Sequence, residues 1–474
     1  MSSESRVPVE RSIWRRKPIA TDAETGLERH LGLWQLTAIG IGAIIGAGIF
    51  TLAGTIANGT AGPAVTISFV IAGVASACAA LSYAEFGGMI PQAGSAYTYG
   101  YAVLGEFAGW MIGWDLLLEY TAIVAVVAIG ISGYFSFLLQ SLGVTLPAWM
   151  LGAPGTGAGH RVDLFAMVLC LLIAFLLNRG IRASARTETG LVVVKVTIVL
   201  AVIVVGFFYV RTDNLSPYMP YGFGGAVTGA ATVFFAVFGY DAMSTAAEES
   251  KDAQRTLPKA IILSLTISMV LYLLACTVLT GMQPYNKISQ TSGFSSAFAS
   301  VGLERFADVI AVGAIVGILT VLFSFMLGAS RVWYAISRDG LLPRWFAETN
   351  RNHVPHRPTW IIGVVSAILA GLVPIAEAAE LTNIGILLAF IVVSAAVIVL
   401  RYRSPEIPRT FRTPFMPVLP LVGIGFSIWL ISQLSVVTWL RFVVWFLVGV
   451  VVYAFYGYRR SHLGRGVAVQ TKDV

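Results

Sequence analysis

Residues 32–57 read GLWQLTAIGIGAIIGAGIFTLAGTIA, an apolar stretch long enough to cross a bilayer but interrupted by Gly40, Gly42, Gly46 and Gly48. These glycines leave the backbone near the middle of the stretch with little side-chain cover. Because hydrocarbon offers no partner to backbone N–H and C=O groups, an unwound segment at that depth is tolerated only where it lines a cavity or meets a ligand. The stretch therefore predicts a broken transmembrane helix beside a binding site.

A second apolar stretch with the same kind of interruption lies half a chain further on. Residues 229–250 read GAATVFFAVFGYDAMSTAAEES, with Gly239 and Asp241 inside the apolar run. Interrupted segments at corresponding places in the two halves of a chain are a sequence pointer to a transporter's substrate site. We expect the two breaks to meet near the middle of the membrane.

The composition of the whole chain is that of an integral membrane protein. Of its 474 residues 57% are hydrophobic and 12% are charged, and the mean hydropathy is +0.80. A soluble domain of this length could not carry so much apolar surface. Twelve runs are long enough to cross about 30 Å of hydrocarbon, which takes about 20 residues. They cover residues 33–57, 63–84, 106–138, 162–179, 188–210, 224–248, 259–282, 306–329, 358–374, 381–401, 416–434 and 440–458.

Basic residues are distributed unevenly among the loops between these runs. Of the 31 lysines and arginines, 25 fall in the two tails and in the loops on the same side as the tails. The positive-inside rule places that side in the cytoplasm. The first thirty residues lack the apolar core of a secretory signal. We therefore predict a multi-pass protein of the cell membrane with cytoplasmic tails at 1–30 and 459–474. The bias also accounts for the net charge of +7 without a nucleic-acid partner.

The chain shows no pattern typical of an enzyme. Its three cysteines, Cys78, Cys170 and Cys276, all fall inside apolar runs, so neither a disulfide framework nor a metal cluster is predicted. HExxH, GxSxG and P-loop patterns are absent from the sequence. We expect no catalytic residues, no metal and no cofactor.

The order of the runs indicates an internal repeat. The interruptions fall in the first and sixth runs, so the chain divides into runs 1–5 and runs 6–10. Since five is odd, the second unit enters the membrane from the opposite side, as in an inverted-topology repeat. The predicted fold is an all-α integral membrane protein with a transporter core at 31–402. Two accessory helices at 403–458 begin with the proline-rich loop RYRSPEIPRTFRTPFMPVLP.

Four stretches carry a resemblance to a known family. They are GIGAIIGAGIF (40–50), LSYAEFGGMIPQAGSAYTYGYAVLGEFAGWMIGWDLLLEY (81–120), PYGFGGAVTGAATVFFAVFGYDAMSTAAEES (220–250) and RVWYAISRDGLLPRWF (331–346). From Leu31 to Tyr458 the chain resembles the amino acid-polyamine-organocation superfamily. More closely, it is similar to bacterial, proton-coupled members of its cationic amino acid transporter family. The resemblance implies a leucine-transporter-like fold of five plus five helices with helices 1 and 6 unwound, alternating access and amino acid uptake.

The first break is expected to bind the substrate carboxylate. The N-terminal end of a half-helix carries partial positive charge and unpaired amides, which suit an anion. By similarity the binding positions are Ile44, Ile45, Gly46, Ala47 and Gly48. A close relative can have a hydroxyl residue where this chain has Ala47, so a side-chain bond to substrate is missing here. The alternative is that the glycines serve only close helix packing.

The second break is expected to bind the substrate ammonium. Carbonyl groups around Phe235, Ala236 and Phe238 are suited to this role, and the resemblance selects Phe235 as a gate that closes over substrate. Asp241, which follows the break, could meet the substrate amine or relay a proton. An aromatic stripe in a membrane helix is otherwise typical of core packing or lipid contact.

Lys195 carries the prediction of proton coupling. It stands alone in the apolar run TGLVVVKVTIVLAVIVVGFFYV (189–210), where an ammonium is costly to bury and can lose and regain its proton. The resemblance matches it to a lysine that replaces the sodium ion of sodium-coupled relatives, with a contact near Gly42. Asp115 and Glu119 lie four residues apart on one helix face; the resemblance favours Glu119 as a further proton-relay candidate and leaves Asp115 undecided, and either acid could equally hold a helix end by accepting backbone hydrogen bonds. The alternatives for Lys195 are a permanent ion pair or a side chain reaching to the interface.

Substrate size is predicted from the eighth run, where bulky Phe325 and Met326 fall near the expected side-chain region. They favour small neutral L-amino acids such as alanine, with cationic ones as the minor expectation. The expected partners are an amino acid, a proton and membrane lipid, with room for a small membrane-protein partner that the sequence does not specify. An obligate exchanger and a non-transporting amino acid sensor stay open as alternatives.

Overall fold

A computed structural model describes residues 12–16, 31–89, 95–180, 185–240, 243, 250–351 and 354–465 of the chain. Over these ranges the protein is all helical, without a β-strand; two isolated bridges, Leu31 to Ser250 and Leu151 to Asp163, are the extended pairings present there. The prediction of an all-α protein is confirmed.

The described helices follow the apolar runs of the sequence. In chain order they are α1 Leu33–Ile44, α2 Ala53–Ile56, α3 Val65–Met89, α4 Ser95–Val103, α5 Glu106–Ser141, α6 Leu164–Asn178, α7 Ala185–Phe207, α8 Gly222–Val233, α9 Ala253–Met282, α10 Gly293–Ser300, α11 Glu304–Arg338, α12 His356–Leu372, α13 Ile375–Arg403, α14 Val418–Ser432, α15 Val436–Val452 and α16 Tyr458–Arg460.

Two of these helices, α4 and α10, lie outside the predicted runs. Each is at most about 14 Å long at the helical rise of 1.5 Å per residue, too short to cross a bilayer. A search for membrane-length apolar runs therefore misses them, although both contain buried aromatic residues, Tyr97 in α4 and Phe294 in α10. They extend the buried core at the ends of the longer helices.

Helix α5 lies at the centre of the molecule, with α11 and α13 packed along it. Its middle turns, from Ala122 to Ala128, are fully buried. Close packing against the first interrupted helical segment is possible because position 130 is a glycine: a Cβ at Gly130 would lie 2.6 Å from the Thr51 hydroxyl oxygen. The central helix thus supports the segments that carry the predicted site.

A buried ion pair fixes the N-terminal segment 12–16 to the helical body. The Arg15 guanidinium donates to both carboxylate oxygens of Glu106, at 2.6 Å and 2.5 Å. Glu106 is fully buried and also accepts from the hydroxyl groups of Tyr101, Tyr453 and Ser461. Burial opposes the charge of Arg15, but the Glu106 carboxylate more than offsets this, so the pKa of Arg15 is raised above its ordinary value. The pair joins the N-terminal segment, the start of α5 and the end of the last helix.

We predict that Glu106→Gln destabilises the protein by about 3–5 kcal/mol, because removing one partner leaves a buried, uncompensated charge. Thermal unfolding in detergent measures the effect. Glu348→Gln is the matched control, since Glu348 pairs with Arg357 at 2.5 Å but is 60% exposed, and the expected loss there is at most about 1 kcal/mol. Equal losses in the two variants would contradict the prediction.

Candidate functional site

The first glycine-rich segment changes its backbone geometry between Ile44 and Gly48. Helix α1 ends at Ile44, Ile45 takes an extended conformation, and a π-helical turn begins at Gly48. Among the described residues no side chain caps the start of that turn. Side chains and backbone here are buried, with Ile45 fully enclosed and Ala47 1% exposed. The Phe50 amide of this turn already donates to the Gly46 carbonyl at 3.2 Å, whereas first-turn amides without such a partner suit an anion in general.

The second interrupted segment has a matching discontinuity. Helix α8 ends at Val233 and is followed by a 3₁₀ turn, Phe234–Val237, after which Phe238 is extended. Gly239 has φ +130°, a conformation that side-chain-bearing residues rarely adopt. The Phe238 amide donates to the Phe235 carbonyl at 3.2 Å, so one of the carbonyls expected to receive substrate already accepts a hydrogen bond.

The two discontinuities are in direct contact, and glycines make that contact possible. A Cβ at Gly48 would lie 2.2 Å from the Cβ of Ala236, and a Cβ at Gly239 would lie 2.9 Å from the carbonyl carbon of Ala43. Backbone therefore meets backbone at both crossings. The structure brings the predicted positions 44–48 together with positions 235–238.

We predict that Gly48→Ala lowers the unfolding free energy by about 1–3 kcal/mol, because the added methyl overpacks the contact with Ala236. Gly59→Ala is the control: it lies further along the same helical run, and a Cβ there would have nothing within 4 Å. Thermal unfolding of the two purified variants compares them. An unchanged midpoint for Gly48→Ala would show that the two segments are not in contact.

Among the side chains of other helices that bond to the interrupted backbone, sequence reasoning missed Tyr272 and Asn383. The Tyr272 hydroxyl of α9 donates to the Ile44 carbonyl at 2.6 Å. The Asn383 amide of α13 accepts from the Phe235 N–H at 2.7 Å and donates to the carbonyls of Ala231 and Thr232 at 2.8 and 2.6 Å. Asn383 could have been found as an amide inside an otherwise apolar run, since polar side chains in a membrane span are costly unless bonded.

Of the three phenylalanines at the second discontinuity, two are held by other rings. Phe234 and Phe238 contact Phe390 edge-on or tilted at centroid distances of 5.4 and 5.5 Å. Phe235 is 8% exposed, and its ring forms no aromatic pair with the described residues. Of the three rings, that of Phe235 is therefore the one whose rotation is not opposed by an aromatic neighbour among the described residues.

Lys195 lies between α1 and α11. Its side chain is fully buried, and its ammonium donates to the Gly42 carbonyl, with the Thr320 hydroxyl at 3.4 Å. Gly317 gives the stem room, because a Cβ there would lie 3.0 Å from the Lys195 Cβ. The contact with Gly42 is the one that the resemblance implies; Thr320 is an additional neighbour that the sequence did not indicate.

The acidic candidates are placed differently from one another. Glu119 is fully buried on α5. Asp115, one turn earlier, faces α13, where a Cβ at Gly385 would lie 2.9 Å from its Oδ1. Asp241, which is expected to bind substrate or relay a proton, lies outside the described residues.

The two bulky residues expected near the substrate side chain are buried on α11. Met326 is fully buried and Phe325 is 8% exposed. The Phe325 ring meets Tyr120 of α5 in a T-shaped pair at 5.4 Å. The pair fixes one ring of α11 against the central helix.

The described helices define a multi-pass membrane protein, as predicted. Seven are long and apolar enough to span a membrane, and four shorter apolar helices accompany them. Residues 31–457 match the amino acid permease family, and the chain belongs to this family, within the amino acid-polyamine-organocation superfamily. The resemblance seen in the sequence is therefore confirmed.

Known relatives match between 82% and 96% of the chain. The methylthioribose transporter of Bacillus subtilis (strain 168) is 45% identical over 96% of this chain and 100% of its own length. The branched-chain amino acid permease BcaP of the same organism is 44% identical over 96% of this chain and 99% of its own length. The vacuolar cationic amino acid transporter 4 of Arabidopsis thaliana is 38% identical over 82% of this chain and 66% of its own length.

Proposed function

We propose that this permease is a secondary active transporter that takes up neutral L-amino acids together with protons by alternating access. The observation that carries the proposal is the contact of two interrupted helical segments, with a buried lysine beside one of them. The start of the turn at Gly48 would receive the substrate carboxylate, and the backbone at Ala236 and Phe238 would receive the ammonium. Phe235 would close over the bound molecule.

The proposed topology has twelve crossings, arranged as an inverted repeat at 31–402 followed by two accessory helices at 403–458. The apolar run Leu33–Phe86 has 54 residues, which would be about 80 Å long as one straight helix and so exceeds one crossing of about 30 Å. If this run makes two crossings, it gives twelve crossings together with the other six long and the four shorter apolar helices. The even number places both termini on one side, which the basic loops assign to the cytoplasmic side of the cell membrane.

The proposed coupling uses Lys195 as the proton carrier. Protonated, its ammonium bonds α1 through the Gly42 carbonyl and reaches Thr320 of α11. Neutral, it bonds more weakly, since a hydrogen bond to a charged group contributes about 1.5–3 kcal/mol and a neutral one about 0.5–1.5 kcal/mol. The interrupted α1 would then be freer to move relative to α11. Glu119 and Asp241 would relay protons or balance the substrate charge.

The proposed substrate class is small to branched neutral amino acids. Phe325 and Met326, buried on α11, carry no charge that could pair with the side chain of a cationic substrate. One relative is named as a branched-chain amino acid permease. Another relative is named as a methylthioribose transporter, so that compound belongs in the assay.

Uptake into proteoliposomes tests the proposed function with radiolabelled alanine, leucine, arginine and methylthioribose, each with and without an inward proton gradient. We expect gradient-stimulated uptake of alanine or leucine at least tenfold above empty liposomes, and little arginine uptake. Flux that needs substrate inside and ignores the gradient would indicate an exchanger. Binding without flux would indicate a sensor, and transport of methylthioribose alone would overturn the amino acid assignment.

Lys195→Ala tests the coupling. We expect proton-gradient stimulation to vanish, because no titratable amine joins α1 and α11. Lys259→Ala is the control, since Lys259 is an exposed lysine at the start of α9 and should keep wild-type stimulation. A Lys195→Ala protein that still responds fully to the gradient would place the coupling site elsewhere.

A further inference from the structure

The side chain of Asn383 occupies a specific position in the backbone hydrogen-bond pattern of the second discontinuity. In a continuous α-helix each N–H donates to the carbonyl four residues earlier, so Phe235 would donate to Ala231. Here the Asn383 Oδ1 accepts from Phe235 N–H at 2.7 Å, and its Nδ2 donates to the Ala231 carbonyl at 2.8 Å. The side-chain amide thus stands between the two groups that a continuous helix would join.

The same amide group satisfies a second carbonyl of the helix end. Nδ2 also donates to the Thr232 carbonyl at 2.6 Å, whose partner in a continuous helix would be the Ala236 N–H. Asn383 is fully buried, so water does not compete for these bonds. An unpaired backbone group in this setting would cost free energy comparable to a lost hydrogen bond, and the amide removes three such costs together.

A side chain inserted into the helical ladder is one of the known causes of a helix kink. We propose that Asn383 is a positioning residue that keeps the helix open at Phe235 before substrate arrives. Without it, the Phe235 N–H could bond directly to the Ala231 carbonyl, and the α-helix could continue into residues 235–238, where its own N–H groups would occupy the carbonyls that the substrate ammonium needs. Substrate binding would then require unwinding of this turn, which lowers affinity.

The neighbouring contacts support an effect on binding rather than on packing alone. Asn383 bonds directly to the main chain of Phe235, which precedes Ala236, and Ala236 contacts Gly48 of the first discontinuity. The Val237 carbonyl is held separately by the Ser76 hydroxyl at 3.0 Å. The two sides of the 3₁₀ turn therefore have independent anchors, and removal of Asn383 releases only the side on which Phe235 lies. The inference rests on the proposed amino acid transport.

Counterflow in proteoliposomes tests the inference with the better wild-type substrate of alanine and leucine. The variant is Asn383→Leu, which keeps the approximate size and removes all three bonds. We expect its KM to rise at least tenfold while Vmax falls less than threefold, and the substrate-induced thermal shift to need at least tenfold more substrate. The control is Ser366→Ala, which removes another buried bond from a side chain to a backbone carbonyl, that from Ser366 to Thr121 at 2.8 Å, between α12 and α5.

The outcomes separate a positioning role from a structural one. A lowered melting temperature with KM within twofold of wild type, as expected for Ser366→Ala, would overturn the inference. If Asn383→Leu does not fold, Asn383→Ser decides, because a hydroxyl replaces only part of the amide bonding: a raised KM supports the inference, and a wild-type KM overturns it. If the wild-type protein itself shows no counterflow, the proposed function fails, whereas wild-type flux with an unaltered variant KM refutes the role of Asn383 alone.

Discussion

The rest of the structure depends on the contact between two stretches of backbone inside a multi-pass membrane protein. Gly48 lies against Ala236, and Gly239 lies against Ala43, at distances that a Cβ on either glycine would not permit. Exposed peptide groups are not tolerated in hydrocarbon, so such a crossing must be enclosed by protein. The central helix α5 and the helices packed along it provide that enclosure, and buried side chains bond to the backbone groups that helix formation leaves unpaired.

Three of those bonds come from three different helices, which links the contact to the surrounding scaffold. Tyr272 holds the Ile44 carbonyl, Asn383 holds the backbone at Phe235, and Lys195 holds the Gly42 carbonyl. Each supports a small number of backbone groups, so each can be altered without removing the helices themselves. In the proposed transport cycle, proton binding at Lys195 acts on the first interrupted segment at Gly42, and substrate binding acts on the same segment at Gly48.

The ion pair of Arg15 with Glu106 shows the same use of burial at the N-terminal segment. The Glu106 carboxylate accepts from one guanidinium and three hydroxyls, and such a shared network makes its partners interdependent. The cost of breaking such a pair explains why the short segment 12–16 is held at the start of α5, although Arg15 and Glu106 are 91 residues apart in the chain.

The sequence by itself determined the membrane class, the helical architecture and the family, because hydropathy and run length act locally and do not depend on tertiary contacts. It also singled out the glycines and Lys195, since glycine interruptions and a lone lysine stand out in apolar runs. Only the tertiary structure decided which groups meet: Asn383 and Tyr272 bond to backbone more than 140 residues away in the chain, and no periodicity in one helix specifies such a partner. The short helices α4 and α10 were likewise missed, because they are stabilised by packing at the ends of longer helices rather than by membrane-length hydrophobicity.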